Sequence, residues 1–237
     1  MITVLIAGIL GFIISFSAIP LFIKQMQKLK LGQLIREEGP AAHQHKAGTP
    51  TMAGLIFIPA AVVAYLLALL INAAVFGTSP VPSATALLTL GFTLGMLGVG
   101  AADDIMKFRN QGNEGLTENQ KTIGLLAVTL PFAYLVFQFP NAAGVTPAST
   151  AISFVRDLPF DFMAAGAIGG TILMVLWITL ISLSGTNAVN FTDGLDGLAG
   201  GATMTIFTGY LAMTIWQYVH ACSGGAGNGC YDVRDPG

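Results

Sequence analysis

"TMAGLIFIPAAVVAYLLALLINAAVF", residues 51–76, runs to its end without an Asp, Glu, Lys or Arg. About 20 apolar helical residues cross the hydrocarbon core of a bilayer, so this stretch reads as a membrane span. Composition extends the reading to the whole chain. Of its residues 54% are hydrophobic and only 9% are charged, with a mean hydropathy of +0.72, whereas soluble domains carry roughly 25% charged residues. Further apolar stretches lie at about 1–23, 84–102, 122–139, 162–183 and 199–219. The expected fold is therefore an all-α polytopic membrane protein of about six transmembrane helices. The first stretch has no basic residue before it and no small-residue cleavage site after it, which reads as a retained helix rather than a signal peptide.

Orientation follows from the basic residues. Lys24, Lys28, Lys30, Arg36 and Lys46 fall in one connection and Lys107, Arg109 and Lys121 in another, leaving only Arg156 and Arg234 for the opposite side. The richer side should be cytoplasmic, which puts the N-terminus outside. The net charge of −2 and pI near 5.8 offer no basic surface for nucleic acid. On the outer side, "FPNAAGVTPASTAISFVRDLPFD" (139–161) reads as an irregular or briefly extended connection. Trp216 and Tyr218 suit an interfacial aromatic belt, and Cys222 and Cys230 flank "SGGAGNG", where the sequence leaves pairing open.

Polar residues gather on the expected cytoplasmic face, and membrane-edge carboxylates are costly and usually functional. In "NAVNFTDGLDGLAGG" (187–201), Asn187, Asn190, Asp193 and Asp196 recur every third residue, so that neighbours share a face of a helical turn. Their hard oxygens suit Mg²⁺, which takes a few protein ligands together with phosphate oxygens. The adjoining glycines let backbone amides approach an anion at a helix N-terminus. The plainer alternative is that Asp-Gly only caps a helix.

Asp103 and Asp104, adjacent and so about 100° apart on a helix, form a second group. One can meet a metal or its waters while the other orients it or accepts a proton. Lys107 and Lys121 can offset phosphate charge, although an i,i+4 ion pair between Asp103 and Lys107 is the ordinary reading of that spacing. Arg109, Glu114 and Glu118 read as solvated loop charge. A third group, "GPAAHQHKAGTPTMAG" (39–54), sets Lys46, Thr49 and Thr51 at the mouth of the second helix behind Pro50. His43 and His45 lack the partners of a zinc site.

Together "GP..H..K.GTPTM.G", "DD..K" followed by "GL....K", and "NAVN.TDGLDGLA" resemble the ordered cytoplasmic motifs of the polyprenyl-phosphate N-acetylhexosamine-1-phosphate transferases, over about residues 30–205. The resemblance implies a bacterial, multi-pass enzyme of the cytoplasmic (inner) membrane with its active face cytoplasmic. Its partners would be the lipid bilayer and two substrates: phospho-N-acetylmuramoyl-pentapeptide would pass from UDP-N-acetylmuramoyl-pentapeptide to undecaprenyl phosphate, with Mg²⁺ required and UMP released. This is the first lipid-linked step of peptidoglycan synthesis. Asp103, Asp104 and Asp193 match the family's catalytic and metal-binding aspartates. Lys46 and Thr51 match positions near the nucleoside and Lys121 a lysine near the phosphates, while Asn187, Asn190 and Asp196 match polar substrate-binding residues. Whether the protein acts as a homodimer stays open.

Ala53, Ile105 and Phe191 depart from the family's usual glycine, tyrosine and leucine. Length departs further, since the family has ten membrane helices. The resemblance implies that residues 1–237 form one integral membrane transferase domain, incomplete at the C-terminus. It would lack a further aspartate, in a Phe-Met-Gly-Asp-type motif, and a His-rich loop, and is expected to be inactive alone. Two alternatives stand beside this reading: a sister enzyme moving N-acetylglucosamine-1-phosphate, and a membrane cation transporter.

Overall fold

The computed structural model describes residues 2–29, 52–110, 115–140, 144–153, 157–192 and 197–221. The helices are α1 (Ile2–Lys28), α2 (Gly54–Phe76), α3 (Ala84–Arg109), α4 (Glu118–Leu135), α5 (Ala167–Thr192) and α6 (Leu198–Val219). Strands β1 (Ala151–Ser153) and β2 (Asp157–Asp161), then a 3-10 turn (Phe162–Ala165), lie between α4 and α5. The protein is an all-α polytopic membrane protein, and the described residues form six long helices, as expected. Among the described residues five helices are long and apolar enough to cross a membrane by length and composition, and α4, the shortest, falls below that measure because its first turn is polar. It begins four residues earlier than the apolar stretch at 122–139, and Glu118, Asn119, Gln120 and Lys121 occupy its first turn.

Large apolar side chains such as Phe12, Phe16, Leu180 and Phe207 are exposed on the isolated chain, as suits helices whose surroundings are acyl chains. Hydrocarbon offers no hydrogen bonds, so polar atoms must be satisfied internally. Several threonines follow this rule: Thr89, Thr93, Thr171, Thr205, Thr208 and Thr214 each donate a hydroxyl to the carbonyl four residues back, whereas the buried hydroxyls of Thr129 and Thr179 have no partner among the described residues.

The chain divides into two compact units, Met1–Val128 and Thr129–Gly237. In the first, small residues bring the helices together, as is common where no hydrophobic effect drives helix association. Ala60, Ala64 and Ala68 are buried along one face of α2, and a side-chain carbon added at Gly11 of α1 would lie 3.6 Å from Cβ of Ala64. The approach of α3 to α4 is closer. A Cβ at Gly95 would stand 2.6 Å from Cγ1 of Val128, and one at Gly124 3.3 Å from Cγ1 of Val99.

In the second unit the connection before α5 is extended, as expected for 139–161. Strands β1 and β2 pair antiparallel, Ala151 with Asp161 and Ser153 with Asp157, around an irregularity in register. The Asp161 carboxylate caps the 3-10 turn by accepting the Met163 N–H at 2.8 Å. Gly166, at φ +83°, then turns the chain into α5.

Several helices run further than the apolar stretches suggested. The loop expected at 103–121 is largely helical, because α3 continues to Arg109 and α4 starts at Glu118. Lys107 and Arg109 in the last turn of α3 favour that extension by facing the negative end of the helix dipole. Likewise α5 passes residue 183 and ends at Thr192. Its polar side chains bond the preceding turn instead of competing with it: Thr186 with Ser182 O, Asn187 with Leu183 O and Thr192 with Ala188 O.

Candidate functional site

The last two turns of α3 hold Asp103, Asp104 and Lys107. The Lys107 ammonium sits 2.6 Å from Asp103 Oδ2 and 3.4 Å from Asp104 Oδ1. The ordinary i,i+4 ion pair is thus present, and one lysine spans both carboxylates. The two acids are not equivalent. The side chain of Asp103 is 13% exposed and that of Asp104 34%.

Asp103 is also held from a distance in sequence. Its Oδ1 accepts the backbone N–H of Leu116 at 2.9 Å. That bond requires the chain at 115–116 to lie almost against the helix. A Cβ added at Gly115 would collide with Oδ1 of Asp103 and would lie 2.9 Å from both its Cγ and its main-chain oxygen. Only a residue without a side chain fits there. The turn is fixed one residue later by a reciprocal cap: Thr117 N–H donates to Gln120 Oε1 at 3.0 Å, and Gln120 N–H to Thr117 Oγ1 at 3.3 Å. This cap starts α4 and carries Lys121 in its first turn, close enough for its charge to act on Asp103. Asp103, Asp104, Lys107 and Lys121 are therefore gathered by short-range devices within one unit. Gly115, Leu116 and the Thr117–Gln120 cap received no role from the sequence, although the Gly-Leu pair stood inside the quoted motif.

In the second unit, Asn187 and Asn190 lie on the last turns of α5, three residues apart and both exposed. Helix α6 is preceded by Gly197 at its N-cap, whose φ of +76° is the left-handed conformation that glycine adopts without cost. Asp193, Asp196, Lys46, Thr49, Thr51, His43 and His45 lie outside the described residues, as do Cys222 and Cys230. At the mouth of α2, Met52 adopts φ +66°, a strained conformation for a residue with a side chain, and one that clusters at functional sites.

Among the described residues no three His, Cys, Asp or Glu side chains stand close enough to enclose a metal. The donors present still fit a hard cation that keeps most of its own water, as Mg²⁺ does with one or two carboxylates. Asp103 has both oxygens engaged, by Leu116 and Lys107. Asp104 is the more open of the pair and the better ligand.

Fold and cluster define a helical membrane protein with a carboxylate and lysine site at its helix ends. Residues 86–225 match the family described as "Glycosyl transferase family 4", and the chain belongs to that family. It is similar to the phospho-N-acetylmuramoyl-pentapeptide-transferase of Kocuria rhizophila, at 46% identity over 236 residues, covering 100% of this chain and 63% of that protein. The protein of the same name from Arthrobacter sp. (strain FB24) is 46% identical over 239 residues, covering 100% of this chain and 65% of its own length. That of Corynebacterium diphtheriae is 45% identical over 235 residues, covering 98% of this chain and 63% of its own. The chain thus spans less than two thirds of the length of these relatives. No solved structure matches it.

Proposed function

We propose that the chain belongs to an enzyme that transfers phospho-N-acetylmuramoyl-pentapeptide from its UDP carrier to undecaprenyl phosphate, releasing UMP. The observation that carries the reading is the end of α3, where Asp103 is pinned by Leu116 and Lys107 while Asp104 stays open beside it. The names of the relatives supply the sugar. The net reaction forms a bond from an acceptor phosphate oxygen to the sugar-bearing phosphorus and breaks the bond from that phosphorus to UMP. Such transfers depend mostly on positioning and on offsetting phosphate charge.

In this reading Asp104, with Asp103 and Asp193 as further ligands, would hold Mg²⁺, which when bound would offset charge on the diphosphate. Asp103 acts mainly by positioning Lys107, whose ammonium, with that of Lys121, meets phosphate oxygens. Asp193 enters by its motif alone, as do Lys46 and Thr51 toward the nucleoside and Asn187, Asn190 and Asp196 toward the rest of the substrate. The active face is cytoplasmic and the N-terminus outside, in the inner membrane of a bacterium, where a water-soluble nucleotide donor is available. Measuring UMP release beside ion flux in liposomes, with the chain extended to the length of its relatives, tests the reading. Mg²⁺-dependent UMP release without flux supports it, whereas flux without UMP release favours a transporter.

A further inference from the structure

The second unit presents a surface that the proposed chemistry does not use. The connection from α4 to α5 is tied to both helices. Ala148 N–H donates to Val136 O, one residue past α4, at 3.2 Å, and Phe162 N–H donates to Thr150 O at 3.1 Å. Gly166 alone separates the 3-10 turn from α5. A Cβ at Gly170 would lie 2.9 Å from Cα of Met163, so the turn lies directly against the start of α5. The hairpin has no linker on which to swing away from the end of this membrane-spanning helix.

Among the described residues its hydroxyls and carboxylates bond one another. Ser149 donates to Asp157 Oδ2 at 2.6 Å, the Ser153 hydroxyl meets Asp157 Oδ1, and Thr150 donates to Asp161 Oδ2 at 3.1 Å. Two apolar side chains of β2 are bare: Leu158 is exposed, and Phe160 is 58% exposed. Phe160 meets Phe162 edge-on with ring centroids 5.3 Å apart, and Phe162 lies 6.2 Å from Trp177. Trp177 stands about 15 Å along α5 from Ala167 at 1.5 Å per residue, so an aromatic ladder leads from inside the span out to the bare edge.

We propose that the Leu158 and Phe160 edge of this hairpin seats in the boundary between headgroups and acyl chains of the adjoining leaflet, making the hairpin an interfacial anchor. The bilayer is the apolar medium that α5 places at this level, and aromatic side chains favour that boundary. Carboxylates tied to the hairpin's own hydroxyls are not forced to face lipid. Under the proposed orientation the leaflet is the outer one, although the anchoring does not depend on sidedness.

The test uses the whole chain with Cys222→Ser and Cys230→Ser, in nanodiscs of phosphatidylethanolamine and phosphatidylglycerol. A nitroxide is attached singly to Leu158→Cys, Phe160→Cys or Ser153→Cys, and its collisions with oxygen and with a water-soluble nickel chelate are compared. Labels at 158 and 160 should meet oxygen more often than the chelate, and the label at 153 the reverse. Chelate-dominated collision at 158 and 160 would place the edge in water and overturn the proposal. Protection there from both reagents would mean that protein covers the edge, a second copy included, and would overturn it equally.

Discussion

Leu116 donates its backbone N–H to the carboxylate of Asp103 at 2.9 Å, across 13 residues of sequence. Through that bond a loop residue with no polar side chain determines how a carboxylate at the end of α3 is aimed. The same carboxylate holds Lys107 at 2.6 Å, so the position of the lysine depends on the loop as well.

Gly115 is the residue on which the arrangement turns. Substitution Gly115→Ala puts a methyl group into Asp103 and must displace either the acid or the loop. In the enzyme extended to full length, turnover should fall by about 10–100-fold, the usual effect of losing a group that orients a ligand, with helix content unchanged by circular dichroism. Unchanged turnover would mean that the Leu116 bond has no part in the site.

The two acids should differ in what they contribute. Asp104→Asn removes the open carboxylate and should lower turnover by on the order of a hundredfold or more, while raising the Mg²⁺ concentration needed for half-maximal rate. Asp103→Asn should lower turnover with less effect on that Mg²⁺ requirement, because its oxygens serve Leu116 and Lys107. Titration of rate against Mg²⁺ for both variants checks the assignment. A larger Mg²⁺ shift for Asp103→Asn would reverse the roles.

Close packing of α3 on α4 gives a prediction about stability alone. Gly95→Ala brings a Cβ to 2.6 Å from Cγ1 of Val128 but to 3.5 Å from its Cβ. The single variant should lose about 1–3 kcal/mol by overpacking. Adding Val128→Ala removes the colliding methyl groups and should recover most of that loss in thermal unfolding. Additive losses in the double variant would show that the strain lies elsewhere.

Much of the fold was legible because apolar runs and the absence of charge report a membrane span directly, as at 51–76. Helix ends were less so. Asn187 and Thr192 look like loop residues, yet they continue α5 by bonding back to carbonyls one turn earlier, a choice that composition does not reveal. For the site, Asp103 and Asp104 stood out as charge beside apolar sequence. Gly115 and Leu116 did not, because their part is played by a missing side chain and a backbone N–H.

Orientation is open to direct test. With Cys222 and Cys230 replaced, a cysteine at Ser79, between α2 and α3, should react with a membrane-impermeant maleimide in intact cells. One at Asn110, at the end of α3, should react only after the membrane is opened. Reaction of both in intact cells would contradict the distribution of basic residues on which the topology rests.

The central claim is phospho-sugar transfer to a lipid phosphate. It is tested most directly by giving radiolabelled UDP-N-acetylmuramoyl-pentapeptide and undecaprenyl phosphate to two proteins in nanodiscs: the 237-residue chain, and a chimera continued with the remaining part of the Kocuria rhizophila relative. The chimera should release UMP and form a lipid-extractable labelled product in equal amounts, only with Mg²⁺, and should lose both with Asp104→Asn. The shorter chain, which spans less than two thirds of its relatives' length, should form neither. A chimera that folds but forms no labelled lipid, or one that forms it equally well with Asp104→Asn, would contradict the account.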